Sequence, residues 1–340
     1  MNPSVPPYRA ALAVVAAALA LAVALAMATG SFAIPAADVV RVLWSALSGG
    51  DAGVADNVRA IVLDIRGPRV AAALAVGAAL AASGATFQAL FRNALVAPDI
   101  LGVSAGCALG AVVAIFLGLP AAAVQAFAFA GGIAAVATVV AVASWVRGHD
   151  RVLTLVLTGV VAGSLFAAGV AFAKSVADPY NQLPAITFWL LGSFASVAPR
   201  DLAFSLPLLA AAFVPLALLR WRVNVMSLPD DEARALGVDV ARERLWLIAA
   251  ATLATSASVA LAGIVGWVGL VVPHAARMLG GAQFSRVLPM SALLGAAFMV
   301  VVDTSCRTLA PTELPPGVLT AFVGTPAFIA LLAATHRRGA

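Results

Sequence analysis

The stretch VAAALAVGAALAASGATFQALF occupies positions 70–91, bounded by Arg69 and Arg92, and none of its 22 residues is charged. At 1.5 Å of rise per residue, roughly 20 apolar residues in a helix cross a hydrocarbon core of about 30 Å. The stretch therefore reads as one transmembrane helix. Uncharged runs of similar character follow at 100–146, 152–173, 202–219, 245–276, 287–302 and 314–335, and one precedes it at 10–37. Charged residues make up 10% of the chain, hydrophobic residues 63%, and the mean hydropathy is +1.05. Those values lie far from soluble globular usage. Backbone that finds no water in lipid must satisfy itself, so the fold class is all-α, a polytopic membrane protein.

Local breaks set the count. The run 100–146 is long enough for two helices, with Gly118-Leu119-Pro120 as the turn between them. The run 245–276 also holds more than one, broken near Gly263-Ile264-Val265-Gly266 and ended by Pro273. Positions 183–196 predict a short helix at or within the interface. The total is about ten crossings in a single domain spanning 1–340. The first run carries only Arg9 before it and exceeds the usual signal-peptide length, which predicts a retained first helix at 10–37.

Arginine placement orients the bundle. With the N-terminus inside, Arg9, Arg92, Arg147, Arg151, Arg220, Arg222, Arg234, Arg242, Arg244, Arg277, Arg286, Arg337 and Arg338 fall on inner loops, 13 of 20 basic residues. This bias predicts cytoplasmic N- and C-termini. The net charge of +5 then suits anionic lipid on that face and calls for no nucleic acid. Cys107 and Cys306 stand far apart and imply no disulfide framework.

Small residues recur inside the spans, among them Gly77, Gly84, Gly102, Gly106, Gly110, Gly263, Gly266 and Gly269. They allow helix backbones to approach closely, the main route to packing where lipid is as apolar as leucine. Polar side chains within the spans are few: Ser83, Thr86, Gln88, Thr158, Ser164, Thr252, Thr255, Ser256 and Ser258. No carboxylate or lysine is expected mid-span, which argues against a proton- or sodium-coupled carrier. Energy must then come from outside the bilayer. This chain cannot supply it by hydrolysing nucleotide, because its one lysine, Lys174, follows Ala173 rather than the glycine of a phosphate-binding loop.

The long polar inner segment at 223–244 has clear local signals. Ser227 with Asp230 three residues on resembles a capping box, with Pro229 in the first turn. Asp230, Asp231 and Glu232 complement the positive helix end. Gly237 is placed to stop that helix and Asp239 to cap the next. An ordered loop or a coupling element for a partner both fit this pattern. A membrane-embedded prenyltransferase-like enzyme would use Asp230-Asp231 for magnesium and diphosphate, but Asp99, Asp150, Asp239 and Glu243 form no second acidic cluster. His149, His274 and His336 do not pair at ligand spacing, so no metal site or cofactor is expected.

Several motifs together resemble the permease subunits of type II ABC importers for ferric siderophores, haem and cobalamin. They are Asp64-Ile65-Arg66-Gly67-Pro68-Arg69 with the helix that follows, Ala97-Pro98-Asp99-Ile100-Leu101-Gly102, and Ala233-Arg234-Ala235-Leu236-Gly237-Val238. Gly266-Trp267-Val268-Gly269-Leu270-Val271-Val272-Pro273-His274 and Glu313-Leu314-Pro315-Pro316-Gly317 complete the set. The resemblance implies ten helices per subunit, a second copy of the chain, two ATP-binding subunits and a periplasmic or surface substrate-binding protein, in a bacterial inner membrane. It implies binding-protein docking at Arg66, Arg69 and Arg307; interfacial snorkelling, or pairing with Asp64 and Asp303, is the other reading of these arginines. It implies ATPase coupling through 227–240, including Ser227, Asp230, Asp231, Glu232, Arg234, Leu236, Gly237 and Val238. An inner gate falls on Asn93 and Leu95, with Ser83, Thr86 and Gln88 on the pathway. Three features depart from the pattern: Ala94 replaces the proline usual after that asparagine, Pro229 a usual glycine, and Val152 and Leu153 the hydroxyl residues of another inner gate. Asp99 resembles the siderophore branch more than the haem or cobalamin branches, which makes a ferric siderophore the expected cargo and haem or cobalamin the alternatives.

Overall fold

A computed structural model describes residues 7–30, 32–146 and 151–339, with side chains at these positions through 330 except at 151. Arg147, His149 and Asp150 lie outside the described residues, as do the side chains of Arg151, His336, Arg337 and Arg338. Among the described residues every regular element is helical. In chain order they are α1 (Tyr8–Ala28), α2 (Ala36–Ser48), α3 (Asp56–Ala60), α4 (Gly67–Leu90), α5 (Val103–Phe116), α6 (Ala121–Trp145) and α7 (Arg151–Val176). There follow α8 (Gln182–Leu191), α9 (Pro199–Val225), α10 (Asp230–Ala235), α11 (Val240–Ala262), α12 (Val268–Gly280), α13 (Phe284–Thr308) and α14 (Pro316–Gly339). Seven stretches are long and apolar enough to cross a membrane, and α5, α8, α12 and the first part of α14 are shorter apolar helices.

The expected breaks are present. α5 ends and α6 begins across Gly118-Leu119-Pro120, with Gly118 in the left-handed region at φ +68°. α11 ends at Gly263, whose left-handed φ of +71° turns the chain into a non-helical segment before α12. Two expectations need correction. The run 10–37 is not one helix: α1 stops at Ala28, and a separate helix, α2, starts at Ala36. α2 buries Val39, Val42 and Ser45 at helical spacing and leaves Trp44 and Leu47 exposed, an amphipathic pattern in a stretch whose Asp38 and Arg41 rule out an uncharged span. The second concerns Pro273, which does not end its helix. α12 runs through it to Gly280, as bundle neighbours make proline tolerable inside a membrane helix.

Helices also extend beyond the uncharged runs. α13 continues to Thr308 and so contains Asp303, and α11 starts early enough to contain Glu243. Both carboxylates are buried near helix ends and each pairs with arginine, Asp303 with Arg69 and Arg307, Glu243 with Arg222.

α4 is the hub of the bundle. It packs on α13 where Gly77 meets Gly295, on α12 where Gly84 meets Gly269, and on α11 where Ser83 meets Ala251 and Thr255. The ends of three helices define two faces. Tyr8 at the start of α1 donates its hydroxyl to the Arg286 carbonyl near the start of α13, at 3.3 Å. At their far ends, Met27 of α1 and Arg307 of α13 meet near Arg66 and Arg69, just before and within the start of α4. One face thus carries an arginine cluster, and the opposite face carries the end of α4, α10 and the start of α13. Cys107 and Cys306 are both buried and free.

Candidate functional site

On the second face, α9, α10 and α11 form a corner. α10 begins after Pro229 with no side-chain cap; the Ser227 hydroxyl instead donates back to Asn224 O at 2.7 Å. The expected capping box is therefore absent, and Pro229 stands just before the helix rather than in its first turn. Pro229 holds extended geometry, which places Ser227 too far back to reach the open N–H groups. The helix end is as expected. Gly237 adopts φ +83°, its N–H donates to Arg234 O at 2.9 Å, and Val238 N–H donates to Ala233 O at 3.1 Å. These two bonds are the Schellman pair, with Val238 packed near Ala233 in the core. Asp239 then caps α11 by accepting from Arg242 N at 3.1 Å.

α4 ends with the same motif but an unusual residue in it. Arg92 N–H donates to Ala89 O at 3.2 Å and Asn93 N–H to Gln88 O at 3.1 Å, which puts Arg92 itself at φ +47°. Glycine is favoured there, and an L-residue costs about 1–2 kcal/mol. What the strain sets is the direction of the side chain. The Arg92 guanidinium donates to Met226 O at 2.9 and 3.1 Å, to Leu228 O, and to the Asp230 carboxylate at 2.9 Å. Arg244 holds the other side of the same carboxylate at 3.2 Å. Partial burial alone would raise the Asp230 carboxyl, but Arg244 and Arg92 outweigh it and hold it below its ordinary value. The end of the hub helix is thereby clamped to the first residue of α10.

The remaining corner residues face water. Asp231 pairs with Arg234 one turn on, at 2.8 Å, and Leu236 is 64% exposed. With Asp230 gripped by two arginines and Asp231 by a third, the aspartate pair is arranged as an ion-pair network.

The five residues expected at the gate and on the pathway divide into two groups. Ser83 and Thr86 are fully buried; Ser83 donates to Ala251 O at 2.9 Å and Thr86 to Ala82 O at 2.8 Å. Gln88 Nε2 faces the carbonyls of Gly269 and Leu270 at 3.4 and 3.2 Å. A cargo path through these three would require α4 to part from α11 and α12. Asn93 and Leu95 are exposed just past the end of α4, with Asn93 Oδ1 accepting from Leu95 N at 2.9 Å. Ala94 between them leaves that turn intact.

On the opposite face the three arginines point inward. Arg66 is 5% exposed and donates to Met27 O at 2.6 Å and to Phe32 O. Arg69 donates through Nε to both Asp303 oxygens at 2.9 and 3.1 Å and through Nη1 to Glu313 at 2.9 Å. Arg307 pairs with Asp303 at 3.3 Å and donates to the carbonyls of Ala26 and Thr29. The pairing with Asp303 matches one of the readings of these residues; no ion pair among the described residues involves Asp64. The arginines tie the end of α1 and the loop before α14 to the start of α4.

The FecCD transport family profile matches residues 18–334, nearly the whole bundle and both faces. The chain belongs to the FecCD transport family. A molybdate import system permease protein of Haemophilus influenzae is 36% identical over 311 residues, covering 91% of both chains. A cobalamin import system permease protein of Halobacterium salinarum is 40% identical over 281 residues, 82% of this chain and 75% of that one. A solved structure described as an inward-facing metal-chelate type ABC transporter superposes with TM-score 0.85 at 33% identity, covering 95% of this chain and 98% of that one.

As a FecCD permease the chain is a multi-pass ABC importer subunit and not itself an enzyme; the ATPase is a separate subunit. Sequence reasoning missed the residues that connect this permease internally. In the sequence Arg92 is one more inner-loop charge, and Asn224, Arg222, Glu243 and Arg244 do not stand out as a set. Positive φ at an arginine has no sequence signature, and Arg92 lies 138 positions from Asp230.

Proposed function

We propose that this permease passes an iron chelate, a ferric siderophore, from a binding protein to the cytoplasm as one half of a homodimer in a bacterial inner membrane. Each copy crosses about ten times, with both termini cytoplasmic. Two ATP-binding subunits dock at 227–240, and the observation that carries this reading is the Arg92 clamp. A load applied to α10 passes through the Arg92–Asp230 pair to the end of α4, beside the exposed gate residues Asn93 and Leu95. Docking of the binding protein on the face of Arg66, Arg69 and Arg307 belongs to the same reading. A partner carboxylate would there compete with Glu313, whose side chain is 48% exposed, for Arg69.

The siderophore assignment rests on the resemblance of Pro98-Asp99-Ile100-Leu101-Gly102 to that branch; Asp99 stands at the start of the turn before α5, its carboxylate accepting from the Ser104 hydroxyl. Molybdate or cobalamin is the second reading, favoured by what the named relatives import. The test is ATP hydrolysis by the assembled transporter in nanodiscs. Binding proteins loaded with ferric siderophore, haem, cobalamin or molybdate are added in turn. Stimulation by the siderophore-loaded protein alone is the expected result, and stimulation by another cargo alone replaces the assignment.

A further inference from the structure

A cavity of about 550 Å³ opens beside the corner, between the ends of α4, α9 and α12 and the start of α13. Its wall carries two guanidiniums, Arg92 and Arg277, together with the amides of Gln88, Asn93, Asn224 and Gln283, and no acidic side chain. Three polar atoms on this wall are buried with no partner among the described residues: Gln88 Oε1, Asn224 Nδ2 and Arg277 Nη2. The amide orientations are fixed. Asn224 Oδ1 accepts from Phe284 N–H at 2.7 Å, so its NH₂ is left over. Gln88 Nε2 points at two carbonyls, so its oxygen is left over, and the residue is only 3% exposed. Arg277 makes no ion pair among the described residues, whereas Arg92 is balanced by Asp230. A half-buried cation with no counter-charge, beside an unpaired amide donor, is costly unless something fills the space.

We propose that this cavity binds a phosphate oxyanion bearing a free hydroxyl. Arg277 Nη2 and Asn224 Nδ2 donate to the phosphate oxygens, which suits the guanidinium fork. Gln88 Oε1 accepts from the ligand's hydroxyl, a requirement that a fully ionised ion without O–H does not meet. The volume far exceeds the roughly 30 Å³ share of one water. It therefore suits a phosphoester better than a bare ion. Two sources share this chemistry: a phosphatidylglycerol headgroup from the adjoining leaflet, as basic pockets between membrane helices commonly hold anionic headgroups, or a soluble phosphate. The proposal does not rest on which cargo the permease carries, although two lining residues, Gln88 and Asn93, are also those expected on the pathway and at the gate.

The test uses the full-length permease with its ATPase partner. Thermal unfolding is followed in phosphatidylcholine nanodiscs against inorganic phosphate and glycerol phosphate, with chloride at matched ionic strength. Native mass spectrometry then counts lipids retained from phosphatidylglycerol nanodiscs. The wild type is expected to show saturable stabilisation by soluble phosphate, or retained phosphatidylglycerol, and the arm that responds names the source. Arg277→Gln should weaken that response roughly tenfold. Asn224→Asp keeps the acceptor for Phe284 N–H while replacing the spare donor with a negative charge, so it should abolish the response even if Arg277→Gln misfolds. Absence of any response beyond chloride overturns the proposal, as does an Asn224→Asp protein that responds like wild type. Loss of the ATPase from Arg277→Gln with no anion response in the wild type would also overturn it, assigning Arg277 to a partner carboxylate.

Discussion

Replacing Gly84 by alanine tests the packing on which the bundle rests. An added Cβ at this position would lie 2.6 Å from Gly269 Cα and closer still to the Gly269 carbonyl oxygen, where 3.4 Å begins ordinary contact. The obstructing atoms are backbone on α12, so no side chain can swing away. α4 and α12 must separate along their contact, and overpacking of this kind costs typically about 1–3 kcal/mol, here at the upper end. Alanine recovers up to about 1 kcal/mol of helix entropy relative to glycine. The clash wins, with a net loss of about 2 kcal/mol. For a chain this long about 2 °C accompanies each kcal/mol, so the midpoint of thermal unfolding in detergent should fall by about 4 °C. Gly266→Ala is the matched control: nothing lies within 4 Å of its added Cβ, and its backbone is not in the left-handed region. It should change stability by less than about 0.5 kcal/mol. Equal melting of the two variants would refute the claim that α4 and α12 touch backbone to backbone.

Three further outcomes follow from other contacts. Gly237 has open space around it, so Gly237→Val is strained only through its φ of +83°, by about 1–2 kcal/mol; the ATPase should be lost on co-purification, Gly237→Asn should keep it, and a full complement on the valine variant would remove 227–240 as the docking corner. Arg69→Met should lower the midpoint more than Arg66→Met, because it strips a guanidinium from Asp303, which is 1% exposed, whereas Arg66 serves neutral carbonyls. The loss is about 3 kcal/mol, the lower end for breaking a buried pair since Arg307 remains beside the carboxylate; the reverse order of midpoints would show that the Asp303 pair adds little. Asp230 has a lowered carboxyl in the folded state, so its contribution is complete above the ordinary carboxylate value near 3.9 and disappears as pH falls through the lower folded value. Hydrogen-exchange protection across α10, corrected for the intrinsic amide rate at each pH, should therefore be unchanged from neutral pH down to about 4 and fall below it, while Asp230→Asn shows reduced protection throughout; early loss in the wild type would contradict the Arg92–Asp230–Arg244 clamp.

The features legible along the chain are those that local chemistry controls. Uncharged runs longer than the bilayer dictated helices, Gly118-Leu119-Pro120 and Gly263 dictated breaks, and Gly237 with Asp239 dictated the corner, because length, φ freedom and capping act over a few residues. α2 was hidden because Asp38 and Arg41 keep its stretch from reading as an uncharged span, and the passage of α12 through Pro273 because neighbouring helices make that proline tolerable. Where the arginines point depends on packing between helices far apart in the chain. In the sequence Arg66, Arg69 and Arg307 fit either partner docking or pairing with Asp64 and Asp303; burial turns each to the nearest acceptor, and Asp303 lies 234 positions from Arg69. The Arg92 clamp and the unpaired Arg277 are of the same kind. Both depend on helix ends that meet only after α4, α9, α12 and α13 have packed, and residue spacing along the chain carries no record of that meeting.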